Sequence, residues 1–265
     1  NLDIVLAGRN PDSGEALAAE LDVQRVKLDV AAPAAGLAAA GPTDLVIAAL
    51  QDPDDTLLAA ALRSGAGYIG ITRTAGNMAS SAIVAAAWAR RPAMILGHWQ
   101  AGALTLAALS AARNFDSVDR IEMAALYDYA DPIGLMTQED ASGFAGEALI
   151  RQSGHWLNVH GPDAVRSVPR TGQASFDAMP MGVLDTPALV AMTGAADVRF
   201  ELGSGESLGT AAGRAASHDL YIDIWGRAAG GGPGRQDGQG PARQGLRGGC
   251  VGCDAAAGLE GGALG

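Results

Sequence analysis

The sequence predicts an α/β fold, because apolar segments of strand length alternate with helical patterns through the first half of the chain. Residues 45–50 are the clearest case, since a continuous apolar run is typical of a parallel strand covered on both faces. A chain of 265 residues can bury a sizeable core, and 48% apolar against 18% charged residues excludes a disordered protein. We therefore expect a parallel sheet with right-handed crossovers.

Local signals place the individual elements of this half. Pro11 suits the first position of a helix, and Asp12 suits the positive end of the helix dipole. The same combination of an acidic start and a periodic apolar pattern follows Asp52. The predicted strands are residues 1–8, 23–30, 45–50, 67–72 and 93–96, and the predicted helices are residues 11–21, 52–63 and 78–89.

The pattern changes from about Ser117, where strand-like alternation is separated by segments rich in Gly, Pro, Met and Thr. This change predicts a second, α+β domain that serves substrate binding or dimerisation, so a homodimer is one expected assembly. The predicted strands of this domain are residues 118–129, 198–202 and 219–225. The predicted domain limits are 1–115, 116–227 and, for a C-terminal tail, 228–265.

The tail is rich in Gly, Pro, Arg and Gln and lacks aromatic residues. Such a segment cannot bury enough apolar area to offset its ordering entropy, so we expect it to be disordered. An alternative is a frameshifted reading of a GC-rich gene, which resequencing the coding DNA would test. Cys250 and Cys253 form a single CxxC, without the context that a redox or zinc site requires.

Charge and hydropathy bear on partners and location. The net charge of −11 argues against binding to nucleic acid or an anionic membrane. The longest uncharged stretch, residues 93–112, is interrupted by Gly97-His98-Trp99-Gln100, which favours a buried strand and helix over a membrane span. No signal-peptide pattern opens the sequence, so a cytoplasmic location is expected.

Arg9 is the most informative single residue. The first predicted strand ends in Gly8 and runs into Arg9-Asn10-Pro11. At this position of a dinucleotide-binding βαβ fold an acidic residue accepts the ribose 2′-OH, whereas an arginine accommodates a 2′-phosphate. Arg9 therefore predicts NADP, although Gly-Arg-Asn-Pro is also good turn chemistry.

Four segments together resemble the saccharopine dehydrogenase-like family of NAD(P)-binding proteins. They are residues 3–11, 27–30, 44–50 and 67–72. The resemblance covers residues 1–115, with weaker similarity through Arg227. It implies a Rossmann-like sheet, a second α/β domain and reductase or dehydrogenase activity.

The resemblance also implies site residues. Arg9 and Asn10 would meet the adenosine phosphate, and Asp29 and Val30 the adenine. Further along the cofactor the implied residues are Ala49, Leu50 and Gln51, with Thr72 and Arg73 at the nicotinamide side. Asp29 is equally well explained as a solvated strand end.

One part of the family pattern has no counterpart here. No G-x-G-x-x-G segment lies between a predicted strand and the helix that follows it, where the backbone amides of this motif hold the pyrophosphate. We therefore expect a Rossmann-like sheet that lacks its first βα unit, with the lost strand belonging between the strands that end at Gly8 and Leu50.

His98 follows a predicted strand that leaves the sheet towards the ligand-binding edge, which makes it the candidate catalytic acid. A structural or surface role is the alternative for any lone histidine. No carboxylate cluster completes a metal site with His155 and His160, so no metal is expected.

Gly205-Glu206-Ser207-Leu208-Gly209 matches the G-x-S-x-G elbow of α/β-hydrolases. An acid followed by a histidine should come later in the chain, but His218 is the last histidine and lies too close. The sequence therefore favours an NADP-dependent oxidoreductase acting on a small substrate. The main alternative is a non-catalytic Rossmann-like protein that binds nucleotide or mediates dimerisation.

Overall fold

The computed structural model describes residues 2–71, 73–132, 143–170 and 172–228, together with the backbone of 242–248. Its contacts divide the chain into two compact units. The N-terminal unit comprises Asn1–Arg73 and Asn77–Gly97, and the C-terminal unit comprises Thr74–Gly76 and His98–Gly265.

The N-terminal unit alternates short strands with helices, as the sequence predicts. Its strands are β1 Val5–Gly8, β2 Gln24–Lys27, β3 Leu45–Ala48, β4 Gly67–Gly70 and β5 Ala93–Ile95. Its helices are α1 Glu15–Leu21, α2 Ala34–Ala40, α3 Thr56–Arg63 and α4 Met78–Trp88.

All strand pairs in this unit are parallel, which confirms the predicted fold class. β1 pairs with β2, and β3-β4-β5 form a second sheet. Among the described residues no strand joins β1 to β3, so each of these strands is the edge of its sheet. The strands that we expected to share one sheet therefore form two.

The core of the N-terminal unit lies on one face of the β3-β4-β5 sheet. Helix α3 buries its apolar face there against Ala48 and Tyr68, and Leu28 from the end of β2 joins the same cluster. The opposite face keeps large apolar side chains exposed, at Leu45, Ile47 and Met94. This parallel sheet is thus covered on one side only by the described residues.

Two local features differ from the sequence expectation. The predicted helix 11–21 begins with a 3₁₀ turn, Pro11–Gly14, before α1. Helix α2 occupies a stretch of Ala and Gly for which no helix was predicted. Gly36 lets α2 pack closely on β2, because a Cβ there would lie 2.7 Å from Leu28 Cβ.

The chain segments after β4 and β5 meet at close range. Arg73 N donates to Leu96 O at 3.0 Å, and Leu96 N donates to Gly70 O at 2.7 Å. A side chain at Gly97 would overlap the Arg73 carbonyl oxygen. Glycine is therefore required at position 97 for a steric reason.

The C-terminal unit is built on one mixed sheet. Its elements in chain order are α5 Ala103–Ala112, β6 Phe115–Tyr127, β7 Glu147–Gln152, β8 His155–His160, β9 Arg166–Arg170, β10 Gln173–Pro180, α6 Asp185–Thr193, β11 Asp197–Ser204, α7 Leu208–Ala211, β12 Asp219–Ala228 and β13 Ala242–Gly248.

The strand order is β13-β12-β6-β11-β10-β9, with β7 beside β11 and β8 beside β7. Among the described residues, β6 and β11 pair in parallel and the other pairs are antiparallel. Helices α5 and α6 cover one face, where alternate residues such as Ile121, Phe200 and Ile224 form the core. This arrangement agrees with the predicted α+β second half.

Part of the predicted tail has a described backbone. Residues 242–248 form β13, which pairs with β12, while residues 229–241 and 249–265, including both cysteines, lie outside the described residues. No helix in the described part of the chain is long and apolar enough to cross a membrane.

Replacing Gly97 by Ala should destabilise the protein, because the new Cβ forces apart the backbones after β4 and β5. Overpacking of this kind costs roughly 1–3 kcal/mol, and we expect a lower urea midpoint by circular dichroism. Gly14→Ala is the matched control, since nothing lies within 4 Å of a Cβ at Gly14. Equal midpoints for the two variants would contradict the steric requirement.

Candidate functional site

The candidate nucleotide site lies at the carboxyl ends of the parallel strands in the N-terminal unit. Gly8 is paired with Lys27, and Leu28 N donates to Gly8 O at 2.9 Å. Arg9 and Asp29 therefore leave neighbouring strand ends. In open α/β sheets, ligands bind beyond such carboxyl ends.

Arg9 and Asn10 are exposed, and Arg9 makes no ion pair among the described residues. The turn that follows them is held by Arg25, whose guanidinium donates to Pro11 O at 2.9 Å. Asp12 and Glu15 lie 3.6 and 3.7 Å from the same guanidinium. Arg25 was not identified from the sequence, because the contact depends on the pairing of β1 with β2.

The other predicted adenosine residues adjoin the same edge. Asp29 is exposed, and its carboxylate accepts a hydrogen bond from Ala31 N at 3.0 Å. Val30 and Leu50 are half-buried against the core cluster that also contains Leu28. The residues that follow β2 and β3 therefore pack against the same apolar cluster.

The remaining predicted cofactor residues differ in their surroundings. Ala49 and Gln51 are exposed after β3, and Thr72 lies outside the described residues. Arg73 is only 3% exposed. Its guanidinium therefore faces the interior of the unit.

Arg73 is the centre of a buried ion network. It forms ion pairs with Asp52 at 3.0 Å and Asp55 at 2.8 Å, and it donates to Tyr68 Oη at 2.9 Å. Asp55 also accepts from the hydroxyls of Ser80 and Ser81 on α4, at 2.6 and 2.8 Å. Burial raises the pKa of Tyr68, which keeps its hydroxyl neutral beside these charges.

The same network fixes the start of α3. Both oxygens of Asp52 accept backbone hydrogen bonds, from Leu57 N at 3.1 Å and Leu58 N at 2.9 Å. A carboxylate at this end of a helix accepts hydrogen bonds from unpaired backbone amides and is attracted to the positive end of the helix dipole. Arg73 thus ties the segment after β4 to α3 and α4.

These residues fit one end of a dinucleotide better than its middle. The exposed Arg9, with the apolar side chains of Val30 and Leu50 at the same edge, suits an adenosine that carries a 2′-phosphate. The described residues after β1 form an Arg-Asn-Pro turn and a 3₁₀ turn instead of a glycine-rich loop. The described residues of this unit therefore offer groups for the adenosine end and none of the expected kind for the pyrophosphate.

A second candidate site lies in the C-terminal unit, around His98. The 3₁₀ turn Trp99–Gly102 that follows His98 contains left-handed backbone at Gln100 (φ 45°), Ala101 (φ 55°) and Gly102 (φ 85°). Left-handed residues other than glycine cost about 1–3 kcal/mol each and cluster at functional sites. The turn is therefore held in place by interactions elsewhere.

Asp185, at the start of α6, anchors this turn. Its carboxylate accepts from Trp99 N at 2.7 Å and from the Thr105 hydroxyl at 2.5 Å. Burial raises the pKa of Asp185, although these hydrogen bonds and the nearby His98 act in the opposite direction. Asp185 thus holds the turn that follows His98 in position.

A second histidine borders the same turn. Gln100 Nε2 lies 2.7 Å from His218 Nδ1, and His218 Nε2 lies 2.9 Å from Asp131 Oδ2. Among the described residues, Trp99 Nε1 and Gln100 Oε1 are buried without a hydrogen-bond partner. The turn after His98 therefore contains one unpaired donor, the Trp99 indole N–H, and one unpaired acceptor, the Gln100 side-chain oxygen.

The G-x-S-x-G segment has a structural role. Ser207 is fully buried, and its Oγ accepts from Thr210 N at 3.3 Å and Ser217 N at 3.0 Å as the N-cap of α7. Asp128 accepts from Thr210 Oγ1 at 2.6 Å and Ser207 N at 2.9 Å. A capped, buried hydroxyl cannot serve as an accessible nucleophile, which removes the hydrolase alternative.

No group of three or more His, Cys, Asp or Glu residues in the described ranges is arranged to hold a metal ion. His155 lies at the start of β8 and His160 at its end. His160 instead faces Asp163 at 3.3 Å.

No family model matches the chain, and no curated protein matches its sequence. Solved structures with a similar backbone include saccharopine dehydrogenase (L-Glu forming) from Saccharomyces cerevisiae, with 10% identity over 77% of this chain and 49% of that one, and a TM-score of 0.48. Scyllo-inositol dehydrogenase from Lactobacillus casei, solved with NAD(H) and scyllo-inositol, has 11% identity over 90% of this chain and 67% of that one, and a TM-score of 0.45.

GenD2 from gentamicin A biosynthesis, solved with NAD, has 10% identity over 93% of this chain and 65% of that one, and a TM-score of 0.45. This chain spans about half the length of the yeast saccharopine dehydrogenase.

Protonation of Asp128 should lower the stability of the folded protein at acidic pH. The hydrogen bond from the Thr210 hydroxyl, together with the N–H groups of Ala130 and Ser207, holds the pKa of Asp128 well below its usual range. The unfolded chain therefore takes up this proton first as pH falls below about 4, and the folded state loses its advantage. We expect Asp128→Asn to flatten the decline in stability between about pH 5 and 3.

Urea unfolding at several pH values measures this effect. The matched control is Asp54→Asn at an exposed position, which should retain the wild-type slope. The same slope in Asp128→Asn and wild type would show that other groups cause the acid sensitivity.

Proposed function

We propose that this chain is an NADP-dependent oxidoreductase of the saccharopine dehydrogenase-like group, which transfers hydride between nicotinamide and a small substrate. The observation that carries the proposal is the exposed Arg9 at the carboxyl end of β1, beside the end of the parallel strand β2. An arginine there has the planar, charged donor groups that a 2′-phosphate requires.

The proposal gives each strand-end residue a role. Arg9 and Asn10 bind the 2′-phosphate, and Asp29 and Val30 border the adenine. Leu50, with Ala49 and Gln51, lies further along the nucleotide. Arg73 keeps its place in the buried ion network and supports the site through the backbone that it anchors.

The nicotinamide, when bound, would supply the hydride, and the protein would supply binding, orientation and proton handling. His98 is the proposed proton donor or acceptor for the substrate. Asp185 is a positioning residue, because it anchors the left-handed turn after His98. Homodimer formation and a cytoplasmic location remain predictions.

The adenosine end can be tested without the pyrophosphate or nicotinamide. Adenosine 2′,5′-bisphosphate and 5′-AMP differ only in the 2′-phosphate, so their affinities isolate the contribution of Arg9. We expect the bisphosphate to bind at least tenfold more tightly by calorimetry, which corresponds to about 1.4 kcal/mol. Arg9→Asp should abolish this preference, because it replaces attraction to the phosphate by repulsion.

Arg90→Asp is the matched control, since Arg90 is exposed and precedes the amino end of β5. It makes the same change of charge away from the carboxyl ends of the strands and should leave the preference intact. Equal affinities of the two nucleotides for folded wild-type protein would reject the NADP assignment. Loss of the preference in both arginine variants would assign it to overall charge.

Catalysis is separated from nucleotide binding by a second assay. NADPH oxidation, followed at 340 nm with a panel of small ketones, 2-oxo acids and 2-oxo acid–amine mixtures, should depend on one class of substrate. His98→Gln should lower that rate and leave the affinity for adenosine 2′,5′-bisphosphate unchanged. Binding of the nucleotide without oxidation by any class would favour the non-catalytic nucleotide-binding alternative.

A further inference from the structure

A cavity of about 200 Å³ lies in the C-terminal unit beside the middle of β6, the start of β11 and the end of β7. In the described residues β7 pairs with β11 at one position, Arg151 opposite Val198. Arg120, Arg151 and Arg199 all line the cavity.

Two of the three arginines are held by tryptophan rings. Arg120 and Trp225 are cross-strand partners, and the Arg120 guanidinium carbon lies 4.8 Å from the centre of the ring. Arg151 and Trp156 are partners in the β7-β8 hairpin, at 5.0 Å. Stacking fixes the plane of a guanidinium and leaves its N–H edge available for an oxyanion.

The nearby carboxylates are already engaged. Glu122 pairs with Arg120 and, at 3.1 Å, with Arg166. Glu201 pairs with Arg166 and Arg199. Asp197, the other carboxylate in the lining, accepts from Ser153 N at 2.9 Å.

Arg151 has no carboxylate partner among the described residues, and the buried Nε atoms of Arg151 and Arg199 have no hydrogen-bond acceptor. Three arginines and two carboxylates line the cavity, so its local charge is positive in a protein of net charge −11. Buried donors without acceptors are rare, because each costs about 1–3 kcal/mol when unpaired.

We propose that this cavity binds a small organic oxyanion, with Arg151 as the principal charge partner. The ligand chemistry is a carboxylate or phosphate group, which can accept two N–H bonds from a guanidinium edge. The site belongs to residues of the C-terminal unit only. It is therefore independent of the proposed NADP-binding role of Arg9.

Calorimetric titrations with succinate and with inorganic phosphate, at low ionic strength, test the proposal and distinguish the two oxyanions. The neutral diamide of succinate is the control ligand and should not bind. We expect Arg151→Gln to weaken binding of the preferred anion at least tenfold. Arg227→Gln is the matched variant, because Arg227 lies on the same sheet with its side chain 72% exposed, and it should bind as wild type does.

Arg151→Lys separates charge from geometry and guards against a folding defect in the glutamine variant. Lysine keeps the charge but lacks the planar fork, so it should bind more weakly than wild type and with an unchanged thermal midpoint. Absence of binding of both anions to wild type, or equal binding by wild type and Arg151→Gln, would overturn the proposal. Arg9→Asp should not alter succinate binding, which keeps this result separate from the nucleotide test.

Discussion

The buried Arg73 guanidinium constrains the N-terminal unit more than any other single group. Asp52, Asp55 and Tyr68 together offset the free-energy cost of removing this cation from water. A buried charge is compensated only when its ion pairs and hydrogen bonds are all formed. The contacts reach α3 and α4 as well as the segment after β4. The candidate nucleotide residues Leu50 and Gln51 directly precede Asp52, so the ion pair of Asp52 with Arg73 helps to fix the position of their backbone.

The C-terminal unit separates apolar and charged groups across one sheet. Along β6, Ile121 and Met123 join the core beneath the helices, whereas Glu122 joins an ion network with Arg166. Along β11, Phe200 and Glu201 alternate in the same way. Burial raises the pKa of Glu201 despite its two arginine partners, which shows that removing this carboxylate from water costs free energy. Loss of either arginine would leave the buried charge without full compensation.

The sequence predicted the parts of the fold that local patterns determine. Strand β3 followed from a continuous apolar run, but α2 did not, because its alanines and glycine offer no polar face to reveal the helical period. The strand-end position of Arg9 could be predicted from the Gly-Arg-Asn-Pro sequence. The partners of Arg73 lie 18 and 21 residues away and Asp185 lies 86 residues from Trp99, so no spacing rule could join them.

Strand β3 carries a further consequence for handling the protein. Its outer edge has no strand partner among the described residues, and Ile47 is 63% exposed on the uncovered face. Natural sheets protect such edges with lysine, proline or a bulge, yet residues 45–48 contain none of these. Backbone groups on this edge can template strand addition by another copy, so self-association competes with the native state as protein concentration rises.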